Sequence, residues 1–94
     1  MPSISEKLSF SNFPNPITER FTNIEFESPY DQFVELYLCD INGNVIKTLF
    51  KGEVKANEKT QISNVDLDDL NSIVGHLKLI TNQKVIARKI IKSR

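Results

Sequence analysis

The stretch that decides the fold is Val34-Glu35-Leu36-Tyr37-Leu38-Cys39-Asp40-Ile41-Asn42-Gly43-Asn44-Val45-Ile46-Lys47-Thr48-Leu49. Val34, Leu36 and Leu38 alternate with Glu35, Tyr37 and Cys39, the period of a half-buried strand. Asn42-Gly43 follows, and both residues tolerate positive φ, so a hairpin is expected here. A second apolar run, Val45 to Phe50, returns along the first. A two-residue turn would set Leu38 opposite Lys47 and mix core with solvent positions. A three-residue loop of Ile41, Asn42 and Gly43, with Gly43 left-handed, sets Leu38 opposite Ile46 and keeps one face apolar. That register is the one expected, because a slip of one residue turns a whole strand over. Asp40 then accepts backbone N–H groups across the loop.

Outward from this hairpin, apolar runs recur about every ten residues with turn signals between them. Residues 1–7 are polar and read as a flexible N-terminal segment or linker remnant, leaving 8–94 as the folded domain. Leu8-Ser9-Phe10 starts a short strand that Pro14 and Pro16 must end, since neither can donate to a ladder. Thr22, Ile24 and Phe26 alternate on one side of a second strand, and Ser28-Pro29-Tyr30-Asp31 turns the chain into the hairpin. After a polar connection over 52–57, Lys59 to Ser63 is a weak strand with Ile62 inward. Residues 64–71 read as a loop or single helical turn that plugs one end with Leu67 and Leu70. Ile73 to Thr81 and Val85 to Ile91 are the last two strands, joined at Asn82-Gln83. The pattern predicts an all-β fold, an immunoglobulin-like antiparallel β-sandwich of about seven strands. Leu36, Leu38, Ile46, Leu77 and Leu79 are expected to be buried together.

The 94 residues make one domain, and a chain this short buries only about 60–65% of its extended surface. Twelve basic and twelve acidic residues cancel, so no overall field draws nucleic acid. The charge is unevenly placed: every carboxylate side chain lies at or before Asp69, and residues 70–94 carry six basic residues and none. The single cysteine cannot form an internal disulfide, so the redox compartment is left open. No run approaches the roughly 18 apolar residues of a membrane helix, which argues against stable insertion, and Met1 to Lys7 is not a signal peptide.

The residues that could carry chemistry are few. His76 is the only histidine, so neither a His-rich metal cluster nor a Ser-His-Asp triad can be assembled. Cys39 has no obvious activating base beside it and reads as a plain strand cysteine. Asn64, Asp66 and Asp68 have the spacing that opens a calcium loop, but Asp69 and Gly75 stand where that loop needs glycine and glutamate. A solvated loop is the reading taken, with a weak calcium site near Asp66 and Asp68 as its alternative. The three glycines are scattered, so no phosphate-binding loop exists. Lys84, Arg88, Lys89 and Lys92 lack interleaved aromatics, which argues against nucleic acid. They form either a charged guard on an edge strand or a recognition surface. No enzyme, cofactor or metal is expected.

Phe13-Pro14-Asn15-Pro16, the stretch Val34 to Leu49 and the basic strand from Lys84 to Arg94 together resemble the C-terminal sorting domain of type IX secretion cargo. The order and spacing of these pieces carry the resemblance, which runs over about residues 8–94. The motif residues are Pro14, Asn15, Pro16, Asp40, Asn42 and Gly43. Cys39 stands where the family usually has an aromatic, and Ala56-Asn57-Glu58 lacks the usual glycine. Ile73-Val74-Gly75-His76 takes the place of a Gly-x-Tyr strand. The resemblance implies a non-catalytic signal domain that carries a fused upstream cargo through the type IX translocon. It further implies transit through the periplasm and delivery to the cell surface or the medium, often with removal by a sortase. The absence of a leader at Met1 then points to a chain cut from a longer one.

On that reading the last hairpin, Ile73 to Ile91, presents backbone donors and acceptors at an edge, flanked by Lys84, Arg88, Lys89 and Lys92 for an acidic partner. Val85 or Ile90 is expected to be buried, with Arg88 and Lys92 free. Two other readings compete. One is a passive module packed on a neighbouring enzyme domain. The other is a carbohydrate-binding module, which needs an aromatic platform that a chain without tryptophan poorly supplies.

Overall fold

The computed structural model describes residues 8–13, 21–70, 73–82 and 84–92, with only the backbone at 13. Pro14, Asn15 and Pro16 of the expected motif, like the leading segment 1–7, lie outside the described residues. The elements are β1 (Ser9–Phe13), β2 (Phe21–Glu27), β3 (Gln32–Cys39), β4 (Val45–Val54), β5 (Lys59–Asp66), β6 (Val74–Ile80) and β7 (Val85–Ile91). They form two antiparallel sheets, β1-β2-β5 and β4-β3-β6-β7, so the immunoglobulin-like sandwich read from the periodicity is the fold. Alternation drives the two sheets together. Ile24 and Phe26 of β2 are buried against Val34, Leu36 and Leu38 of β3, Leu77 and Leu79 of β6, and Ile90 of β7. Leu67 and Leu70 close one end as expected, in a turn where the Leu70 N–H donates to the Leu67 carbonyl.

The structure differs from expectation in the register of β3 with β4 and in the lengths of β4 and β5. The hairpin loop is the three-residue one: the Gly43 N–H donates to the Asp40 carbonyl, the Asp40 N–H donates to the Asn44 carbonyl, and Gly43 has φ +90°. Cys39 therefore faces Val45, but Leu38 faces Lys47 and not Ile46, and Leu36 faces Phe50. Two bulges cause the drift, each adding a residue to β4, first Ile46 and then Leu49. A bulge re-aims a side chain. Here it lets Ile46, Leu49 and Phe50, which have no common alternation, all pack against the core. Ile46 is accordingly only partly buried, unlike Leu36, Leu38, Leu77 and Leu79.

Two strands are longer than the periodicity predicts. β4 continues through the polar stretch to Val54, which is buried, and β5 continues to Asp66. β5 passes position 64 through its own bulge, where Asn64 takes φ 57° and its N–H donates to Asn23 Oδ1 at 2.9 Å.

Candidate recognition site

The basic C-terminal strand is built by a tight hairpin. The Thr81 N–H donates to the Lys84 carbonyl at 2.9 Å, and the Lys84 N–H donates to Thr81 Oγ1 at 3.2 Å. β6 and β7 then pair over seven consecutive positions without a register shift, from Ile80–Val85 to Val74–Ile91. The Lys92 N–H closes the ladder on the Ile73 carbonyl at 2.7 Å. Strand alternation sorts the side chains of β7 into two rows. Ile86, Arg88 and Ile90 point toward the other sheet, while Val85, Ala87, Lys89 and Ile91 point outward and are exposed.

This sorting divides the four basic residues. Lys84 and Lys89 are exposed. Arg88, expected to be free, reaches across the sandwich: its Nη2 donates to the Phe10 carbonyl on β1 at 2.8 Å, and its guanidinium lies 5.5 Å from the Phe10 ring centroid. Lys92, also expected to be free, donates through Nζ to the carbonyls of Leu70 at 2.9 Å and Leu67 at 3.3 Å. Both are anchors for neighbouring elements. The signal for this was in the sequence, since positions 88 and 92 share parity with Ile86 and Ile90. Val85, offered as an alternative to Ile90 for burial, is 60% exposed, and Ile90 is the buried one. Position 90 faces the core beside Gly75 of β6, whereas position 85 is on the outer row.

Next to this strand the Asp40–Asn44 loop is held by its acid. Asp40 Oδ1 accepts the backbone N–H groups of Asn42 and Asn44, each at 2.9 Å. These bonds, with that from Asn44 foremost, hold the Asp40 carboxyl below its ordinary range. His76 Nδ1 lies 3.3 Å from the Asp40 carbonyl, which ties β6 to the loop. Cys39, the register partner of both Val45 and His76, is buried, and burial pushes its thiol up. On the outer face the Tyr37 hydroxyl donates to the Glu35 carboxylate, which holds the phenol up. Asp66 Oδ1 accepts the Asp68 N–H at 2.9 Å, a side-chain turn. Among the described residues no three His, Cys, Asp or Glu side chains are grouped to hold a metal ion.

Two antiparallel sheets of three and four strands, ending in the regular β6–β7 hairpin, define the class, a small immunoglobulin-like β-sandwich domain. Within it the family is plain: the model of the secretion system C-terminal sorting domain matches residues 11–93, and the chain belongs to that family. It is a type IX secretion sorting signal, a label for export toward the cell surface or the extracellular space. No curated protein and no solved structure matches the chain significantly.

Proposed function

We propose that this domain is the non-catalytic export address of a fused upstream cargo, read by the type IX translocon, its shuttle components and, in some cases, a sortase. The observation that carries this reading is the extent of the family match, residues 11–93, which runs from within β1 to beyond β7. The chain's direction supports it. Ser9 pairs with Glu27 at the end of the sandwich formed by the β2–β3 link, whereas Ile91 pairs with Val74 at the other end, beside the Asp40–Asn44 loop. A cargo attached ahead of β1 therefore stands away from the end of β7. Of the four basic residues named above, Lys84 and Lys89 are the exposed pair and offer their charge to a partner. Arg88 and Lys92 hold the strand in place.

The test fuses the domain to a reporter carrying a signal peptide in a type IX-competent cell. The expected result is reporter at the surface or in the medium, and retention in the periplasm when Lys84 and Lys89 are both changed to glutamate with the fold intact by circular dichroism. Periplasmic retention of the unmutated fusion would reject the assignment. Full export of the charge-reversed one would reject only the role of the two lysines.

A further inference from the structure

We infer that β7 is a strand-addition site, at which an extended, carboxylate-bearing segment of another protein joins the four-stranded sheet as its fifth strand. This inference rests on the reading of the domain as a sorting signal and specifies how the signal is held. An antiparallel strand points the N–H and C=O of alternate residues to opposite sides. The bonds Thr81 N–H to Lys84 carbonyl and Lys92 N–H to Ile73 carbonyl bracket the β6–β7 ladder and fix its phase. Lys84, Ile86, Arg88, Ile90 and Lys92 spend their backbone groups on β6. Val85, Ala87, Lys89 and Ile91 aim theirs at the open side, where β7 has no neighbouring strand among the described residues.

The other three edges are guarded. β4 is interrupted twice, at Ile46 and Leu49. β5 carries a bulge with Asn64 in the left-handed region, and it lies against β4. β1 is five residues long and runs into Pro14. Bulges, shortness and proline are the ordinary ways in which folded proteins spoil an edge for pairing. β7 has none of these three, being seven residues in unbroken register without proline, glycine or a positive φ; its guard is the exposed charge of Lys84 and Lys89, which repels a basic strand and admits an acidic one. Inward-pointing charge is a further guard, but Arg88 and Lys92 are engaged within the domain. The open side is also where polar satisfaction is least complete. Among the described residues, the buried side-chain atoms without a partner belong to Asn12 on β1 and Arg88 on β7, the two strands that border it.

Charge selects the occupant. Lys89 stands in the outer row of β7, Lys78 is the register partner of Ala87, and Lys84 leads into the strand. Residues 70–94 hold no carboxylate side chain, and the nearby Glu35 carboxylate accepts the Tyr37 hydroxyl. A second copy pairing β7 with β7 would bring Lys89 near its own image, a repulsive arrangement across strands. A strand with glutamate or aspartate facing Lys89 and apolar side chains over Val85 and Ile91 is the complement.

The test uses the 94-residue chain with a synthetic seven-residue peptide carrying valine at its first and last positions, glutamate at its third and fifth and threonine between, so that one row offers apolar ends and an acidic centre, the same peptide with lysine for glutamate, and the variant Ala87→Pro. Proline at 87 deletes an outward N–H and leaves the β6 ladder whole. Amide exchange followed by NMR should show the N–H groups of Val85, Ala87, Lys89 and Ile91 becoming protected by the glutamate peptide and not by the lysine one. In Ala87→Pro, with unchanged melting temperature, binding should fall about tenfold or more, the worth of a hydrogen bond at an apolar edge. Unchanged exchange at all four amides, or equal binding to both peptides or both proteins, overturns the inference. Concentration-dependent protection without peptide overturns it too, by making a second copy the occupant. In the reporter assay, folded Ala87→Pro should stay in the periplasm. Its export at the unmutated level would discard strand addition and leave the sorting assignment standing, whereas failure of the unmutated fusion would discard the assignment, with the exchange experiment still deciding what β7 binds.

Discussion

Arg88 of the last strand donates a 2.8 Å hydrogen bond to the carbonyl of Phe10 in the first strand, with its guanidinium over the same residue's ring. The two strands belong to different sheets and do not pair, so this side chain is the tie across the open side of the sandwich. A charge-assisted hydrogen bond contributes about 1.5–3 kcal/mol and a partly exposed cation–π contact about 0.5–1 kcal/mol more. Arg88→Ala should therefore destabilise the domain by about 2 kcal/mol, and Lys89→Ala, one position along on the outer row, by less than about 0.5 kcal/mol. Urea unfolding of the two variants decides the matter, and equal midpoints would refute the tie.

Gly75 faces inward on β6 with almost no room. A Cβ there would lie 2.8 Å from both Leu70 methyl carbons and 3.0 Å from the Cys39 carbonyl oxygen. Leu70 is buried and the carbonyl belongs to the backbone, so neither can step aside freely. Gly75→Ala should cost about 1–3 kcal/mol by overpacking. Calorimetry showing an unchanged melting temperature would contradict this.

At Gly43 the restriction is conformational. Nothing lies within 4 Å of where a Cβ would stand, but φ is +90°. Gly43→Ala should cost on the order of 1 kcal/mol through backbone strain alone, and Gly43→Val more. The pair Gly43→Ala and Gly75→Ala thus separates strain from crowding, and a crystal structure of each should show main-chain movement at 43 and side-chain displacement of Leu70.

Leu38 and Ile46 were alike in periodicity and differ in burial. Leu38→Ala should cost about 2–5 kcal/mol, a large share of the 5–15 kcal/mol typical of a folded domain. Ile46→Ala, at the first bulge of β4 and only partly buried, should cost about 1–2 kcal/mol. Denaturant midpoints in the reverse order would mean that the bulge is not where it is described.

Asp40 sets a pH dependence with a definite sign. Its folded carboxyl titrates below the ordinary 3.8 because the Asn44, Asn42 and Gly43 N–H groups favour the charged form. The stabilisation is fully present above that ordinary value and is lost as pH falls through the lower folded one. Asp40→Asn should flatten the acid limb of the stability curve. The Asn42 and Asn44 amide resonances should titrate together at this low pH, and titration near an ordinary carboxylate value would remove the loop's hydrogen bonds from the account.

The number of strands, the inner faces of β2, β3 and β6, and the three-residue loop at Asp40–Asn44 were legible in the sequence. They depend on local matters: alternation of period two, and the positive φ that Asn42-Gly43 tolerates. The basic cluster was legible as a count, and its division was implicit in parity with Ile86 and Ile90. Register and company, by contrast, came from the assembled sandwich. The bulges at Ile46 and Leu49 arise because β4 must deliver three irregularly spaced apolar side chains to a core whose other wall is already set by Leu36 and Leu38. That is a matter of two sheets meeting, which no window along one strand contains. For the same reason Arg88 read as a free charge until Phe10, 78 residues earlier, was placed opposite it. Which of four edges is open likewise depends on strand order, a property of the whole sheet and of no single segment.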